Sequence, residues 1–275
     1  YLFSKFPTIV LCSATLTTNK RFDFVRKRLG LTSQLLPQRK VQENIYETPF
    51  NYREQVLLAL PIDMPAPVHP HFNHAAYEMI WQAICASQGQ AFVLFTSYFM
   101  LHRCAQLLEE RMRSHRYTLL KQGDDHRQIL LDKFKEAKRA VLFGTDSFWE
   151  GVDVAGDALR CVIIVKLPFK VPSEPVVQAR TEAILKSGAD PFLDYSVPNA
   201  VVKFKQGFGR LVRNQWDRGC IICLDTRLVT KNYGEFFLNS LPKCKKAFVK
   251  SEQLWPQMKE FYRQTYHFVK KSSLS

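Results

Sequence analysis

Apolar residues along the chain follow two rhythms. Short unbroken runs at Thr8–Cys12, Gln55–Leu60, Ala91–Phe95, Ala140–Phe143, Cys161–Leu167 and Cys220–Leu224 have the length and composition of strands buried on both faces. Between the runs the spacing becomes helical. Leu101, Cys104, Ala105, Leu107 and Leu108 mark one helix face, and Ile129, Leu130, Phe134 and Ala137 mark another. After the first run, Phe22, Val25 and Leu29 predict a helix opened by Thr17 or Thr18 as its cap. Strands alternating with helices predict βαβ units, hence an α/β fold whose parallel sheet is covered by helices on both faces.

Two stretches interrupt this rhythm and read as loops or linkers: the polar Thr32–Arg39 and the proline-rich Pro61–Pro70. A change of domain is expected near Thr48–Phe50. Residues 1–48 then hold the last strand and helix of one domain, and residues 49–275 form a second, which a chain of 275 residues can accommodate.

With 46% hydrophobic and 23% charged residues, the composition is globular and excludes a disordered chain. No apolar run reaches membrane-spanning length, so no membrane partner is expected. Lys and Arg number 39 against 25 Asp and Glu, and the resulting +14 favours phosphate backbones or other anionic surfaces as partners. The seven cysteines are scattered and odd in number, which fits a reducing, cytoplasmic compartment rather than a disulfide framework. Cys220 and Cys223 would face opposite sides of a strand, which argues against a shared metal or disulfide. No metal site is expected. The chain begins at Tyr1 without a signal-like segment and reads as a piece of a longer protein.

Three segments carry candidate chemistry. Gln206-Gly-Phe-Gly-Arg210-Leu-Val-Arg213 closes a helical run from Pro198, and arginines three apart would share one helix face. A planar guanidinium fork suits the γ-phosphate of a nucleotide. Phe143-Gly-Thr-Asp-Ser-Phe-Trp-Glu150-Gly-Val-Asp153 follows a strand at its carboxyl end, where α/β sheets bind ligands. There Gly144 permits close backbone approach, Thr145 and Ser147 suit phosphate contact, and Glu150 or Asp153 can accept from a ribose hydroxyl or orient an arginine. Ser13-Ala-Thr15 directly follows the first apolar run. Taken singly, each segment also fits a solvated basic helix face, a loop cap or a helix cap.

In order and spacing these segments resemble the C-terminal part of the DinG/XPD-type helicases of superfamily 2, the bacterial DinG-like members above all. Ser13-Ala-Thr15 resembles motif III, Leu94-Phe-Thr-Ser-Tyr98 motif IV, Phe143–Asp153 motif V and Gln206–Arg213 motif VI. Cys161–Phe169, Leu224-Asp-Thr-Arg227, Tyr233-Gly234 and Leu241-Pro242 extend the likeness, while Lys166 stands where an acidic residue is expected. The resemblance implies two RecA-like domains that close on ATP, single-stranded DNA running across both, 5′-to-3′ movement, and work in DNA repair or replication. Arg210 and Arg213 would approach the γ-phosphate. Gln206, Glu150, Gly151 and Asp153 would shape the nucleotide cleft, Thr96, Ser97 and Thr145 would contact the DNA backbone, and Ser13 and Thr15 would couple cleft to track.

None of the 11 glycines precedes a lysine, so no Walker A loop is present, and no DEAH-like tetrad or four-cysteine cluster occurs. By resemblance, ATP and Mg²⁺ would be held mainly by an N-terminal RecA-like half, which would also carry any iron–sulfur cluster. This chain alone would then be inactive as an ATPase. Further expected partners are replication or repair proteins. The competing reading is a non-catalytic module that binds nucleic acid or docks a partner on a helicase fold. A dinucleotide-binding enzyme is disfavoured, because no G-x-G-x-x-G opens a helix.

Overall fold

Apolar runs become strands of a single parallel sheet in the computed structural model, which describes residues 2–38, 40–149 and 159–272. The strands are β1 Val56–Pro61, β2 Ala91–Leu94, β3 Thr118–Lys121, β4 Ala140–Gly144, β5 Cys161–Ile164, β6 Gly219–Cys223 and β7 Lys245–Val249. They lie in the order β3-β4-β2-β5-β6-β1-β7, with every neighbouring pair parallel. The helices are α1 Leu2–Lys5, α2 Asp23–Leu29, α3 Tyr52–Gln55, α4 Phe72–Ala86, α5 Tyr98–Ser114, α6 Arg127–Glu136, α7 Asp146–Trp149, α8 Pro175–Lys186, α9 Val197–Phe208, α10 Arg227–Thr230, α11 Gly234–Asn239 and α12 Ser251–Ser272.

Side chains on the central strands alternate between two cores. Val56, Leu58, Phe92, Leu94, Leu142, Ile164 and Cys223 face one core with α6, α7 and α9. Leu57, Ala59, Val93, Phe143, Ile163 and Cys220 face the other with α4, α5 and α12. Both faces are therefore covered, and Cys220 and Cys223 lie on opposite sides of the sheet as their spacing requires.

Several expectations are corrected. Thr8–Cys12 is not a strand: Val10 is 83% exposed and the segment has no regular secondary structure. Backbone groups form a strand only where a ladder partner receives them, and the described bridge nearest this segment joins Thr18 to Arg21. Neither Thr17 nor Thr18 opens α2. It follows Phe22, has Asp23 in its first turn, and ends at Gly30 in the left-handed region at φ +70°. Leu107 is 47% exposed, because at 100° per residue it sits roughly 120° around α5 from Leu101. Ile129 is likewise exposed, one position off the Leu130–Phe134 stripe. The Cys161–Leu167 run pairs only as far as Ile164, and Gln55 closes α3 instead of opening β1.

Candidate functional site

The carboxyl ends of β3, β4, β2, β5 and β6 bring Gln122, Thr145, Thr96, Lys166 and Asp225 to one edge of the sheet, in that order. Ser97 caps α5, its Oγ accepting the Met100 N–H at 3.3 Å. Thr145 is only 3% exposed; its N–H and its hydroxyl both donate to Gln122 Oε1, at 2.6 and 2.9 Å. Gln122 Nε2 in turn donates to Ser147 Oγ at 2.9 Å and to the Tyr98 hydroxyl. One amide thus fastens the loops after β2 and β4 to the end of β3. Gly144 serves packing rather than an incoming ligand, since a Cβ there would stand 2.6 Å from Phe148 Cβ.

Asp225, fully buried, fastens the next two strand ends. It accepts the Leu167 N–H at 2.8 Å and the Arg227 N–H at 3.0 Å, and forms an ion pair with Arg227 Nη2 at 2.6 Å. Beside this pair, Lys166 Nζ donates to the Pro67 carbonyl at 3.3 Å and lies 4.8 Å from the centre of the Phe72 ring. Burial pulls its pKa below the usual lysine value, with Asp225 acting in the opposite direction.

On the other side of the sheet, α9 delivers Gln206 and the arginines. Helix α9 stops at Phe208, so Arg210 lies in a turn and Arg213 in a bend, and they do not share a helix face. The reason is local: beyond Gly209 the backbone is bonded to side chains of the following loop in place of the helix ladder. Gly207 lets α9 press against Trp149, whose ring atoms would be 2.9 and 3.0 Å from a Cβ at that position. Arg210 Nη2 donates to the Trp149 carbonyl, and Trp149 Nε1 donates to the Phe95 carbonyl at 3.2 Å. Burial lowers the pKa of the half-buried Arg213 from the usual arginine value, and Asp217 opposes the shift. The Gln206 Oε1 is buried without a hydrogen-bond partner among the described residues. Glu150, Gly151 and Asp153 lie outside the described residues.

Ser13 and Thr15 stand apart from both groups, with their hydroxyls 3.3 Å from one another. Their link to the site runs through Thr17, whose carbonyl accepts from Lys205 Nζ at 2.8 Å, one residue before Gln206. The sequence did not single out Gln122, Gln55, Asn214, Asp217 or Lys205. Gln122 stands one position and Asp225 two positions past the end of a strand, the signal that would have found them.

Residues 80–244 match the family of helicase C-terminal domains. The chain belongs to that family. It is 43% identical over 238 residues to the ATP-dependent DNA helicase YoaA of Haemophilus influenzae, covering 86% of this chain and 36% of that relative. It is also 38% identical over 245 residues to a Bacillus subtilis protein named 3′-5′ exonuclease DinG, covering 87% of this chain and 26% of that one. The chain therefore spans about a third or less of these relatives. Among solved structures, an XPD helicase shares the fold with a TM-score of 0.52 at 14% identity, over 70% of this chain and 35% of that chain. The likeness to the YoaA and DinG relatives is thus one of sequence, that to the XPD helicase one of fold, and the fold is RecA-like.

Proposed function

We propose that this chain is the C-terminal motor domain of an ATP-dependent DNA helicase. It moves on single-stranded DNA in the 5′-to-3′ direction and serves DNA repair or replication in the bacterial cytoplasm. Residues 1–48 end a first RecA-like domain, residues 49–275 form the second, and an N-terminal RecA-like half supplies the remainder of the motor. The observation that carries this reading is the seating of Arg210 on Trp149, which sets a cation against the segment Phe143–Trp149.

In this reading the other half would present ATP together with Mg²⁺, which would supply charge neutralisation at the phosphates. Water attacks the γ-phosphorus, the bond to the β–γ bridging oxygen breaks, and ADP and phosphate leave. Arg210 and Arg213 hold the charge that gathers on the phosphate oxygens in the transition state. Gln206, Glu150, Gly151 and Asp153 serve nucleotide binding, and Ser13 and Thr15 relay closure of the cleft. Thr96 and Ser97 meet the DNA backbone directly. Thr145, whose hydroxyl is bonded to Gln122, does so through the loop it fixes.

The test is Arg213→Ala in the longer protein. Its kcat for ATP should fall by roughly 10³-fold or more, with KM for ATP, fold and DNA binding little changed. Arg213→Lys should not restore turnover, because lysine loses the planar fork. A lysine variant with near-normal ATPase would sink the assignment. The isolated chain should show no Mg²⁺-dependent turnover.

A further inference from the structure

Arg213 lies on a loop without regular secondary structure, so side chains must give that loop its shape. Asp217 Oδ2 accepts the backbone N–H of Arg213 at 2.8 Å and of Asn214 at 3.1 Å. Asn214 Oδ1 accepts the N–H of Trp216 at 2.7 Å and of Asp217 at 3.0 Å. Asn214 Nδ2 then donates to Asp217 Oδ1 at 2.8 Å, joining the two side chains. Each of the pair thus holds the backbone around the other. The loop is also held from the sheet side: Gln55, only 1% exposed, donates through Nε2 to the carbonyls of Asn214 at 2.8 Å and Asp217 at 2.9 Å.

Nothing else explains a glutamine at that depth. Its Oε1 is buried without a hydrogen-bond partner among the described residues, a desolvation penalty that leucine or methionine would avoid. Its two amide hydrogens are spent on this loop alone. The side-chain oxygens of Asp217 and Asn214 face the loop's own amides.

We propose that Asn214, Asp217 and Gln55 form a clasp that sets the position of Arg213, acting as positioning residues for phosphoryl transfer and not as ligands of the nucleotide. The inference rests on the reading of Arg213 as a clamp on the γ-phosphate. A clamp of this kind stabilises a transition state only if it is already in place, so loosening the loop should slow turnover without weakening the binding of ATP.

The chemistry of the pair supplies its own test, in the longer protein that carries this chain. Asp217→Asn sets an amide against Asn214 Nδ2, so either two donors oppose each other or the Arg213 N–H loses its acceptor. The kcat for DNA-stimulated ATP hydrolysis should fall by roughly 10- to 100-fold, with KM for ATP held to within about twofold. The exchange variant N214D/D217N restores every bond with the roles reversed. The carboxylate at 214 accepts from the amide at 217 and from the N–H groups of 216 and 217, while the amide oxygen at 217 accepts from the N–H groups of 213 and 214. Recovery of kcat by the exchange supports the clasp. Wild-type kcat in D217N, or no recovery in a folded exchange variant, overturns it. If D217N does not fold, Gln55→Met approaches the loop from a different element and should show the same selective fall in kcat; a Gln55→Met protein with normal kcat overturns the clasp. Arg213→Ala run in parallel separates the two ideas. If that variant keeps its turnover, the reading of Arg213 falls; if it loses turnover while D217N does not, only the clasp falls.

Discussion

Replacing Gly207 by alanine adds one methyl group to α9 where there is no room for it. A Cβ at this position would stand 2.9 Å from Cζ3 and 3.0 Å from Cε3 of Trp149, and 3.1 Å from Cδ1 of Leu94. Both neighbours are fully buried, so neither can swing aside into solvent. Overpacking of this kind costs about 1–3 kcal/mol, while alanine's helix propensity returns about 1 kcal/mol over glycine. The net loss should be about 1 kcal/mol, within a range of about 0–2 kcal/mol. Gly209→Ala is the control. Its nearest contact is the Lys205 carbonyl oxygen at 3.3 Å, and its φ of −69° suits any residue, so alanine there should be neutral or slightly stabilising. Urea denaturation of both variants, followed by circular dichroism, reads the difference directly. Should G207A prove as stable as G209A, the tight seat between α9 and Trp149 is not what fixes glycine in this motif.

Other outcomes follow from the same contacts. Gln122→Leu strands the buried Thr145 N–H and should destabilise the fold by about 1–3 kcal/mol, whereas Gln122→Glu keeps an acceptor and should lose little stability while its charge weakens binding of single-stranded DNA; a leucine variant of wild-type stability would refute the network. Burial holds the thiols of Cys104, Cys161, Cys220 and Cys223 protonated, with Cys220 pushed up to about 12, while an unfolded chain releases such protons near the ordinary value of 9.0. Because the folded pKa values are raised, stability is full below pH 9 and falls above it by about 1.4 kcal/mol per thiol per pH unit, so an unchanged denaturant midpoint between about pH 8 and about pH 10 would contradict the assignment. Replacing both Thr96 and Ser97 by alanine should weaken single-stranded DNA binding, and the wild-type affinity should drop steeply between about 50 mM and about 200 mM salt; an anisotropy titration insensitive to salt would count against a phosphate-backbone track.

The five central strands were legible because burial on both faces writes an unbroken apolar run into the sequence. Edge strands β3 and β7 were not, since Lys121, Lys245 and Lys246 interrupt their runs where the sheet meets water. Thr8–Cys12 shows the converse: its composition matches that of the buried runs, but composition cannot report whether a ladder partner exists. At the site, the glycines and arginines after Gln206 were legible as a group, while the reason for Gly207 was not. It depends on the ring of Trp149, 58 positions earlier in the chain. The bonds of Gln122 to Thr145 and of Gln55 to Asn214 and Asp217 join single polar residues distant in sequence. No periodicity records such pairs. Only their position beside strand ends hints at them.

Trp149 sits where these contacts meet, and its bonding constrains how the two sides of the site can move. Its carbonyl receives Arg210, and its indole N–H is bonded to the Phe95 carbonyl, immediately before Thr96 and Ser97. Its ring rests on Gly207 and lies 5.9 Å from Lys203 Nζ, while on the same helix Lys205 reaches the Thr17 carbonyl. The ring is fully buried in an interior packed at close to crystalline density, which resists compression. A shift of Arg210 towards a phosphate therefore cannot be absorbed by the ring. It must either break the Arg210–Trp149 bond or carry Trp149 along and pull on the Phe95 carbonyl, whose loop leads to the residues assigned to the DNA backbone. A cation on one face of the sheet and a hydroxyl pair at its edge are in this way separated by one rigid side chain, and that economy is a physical reason for a tryptophan, a small residue opposite it and a carbonyl-seated arginine to occur together.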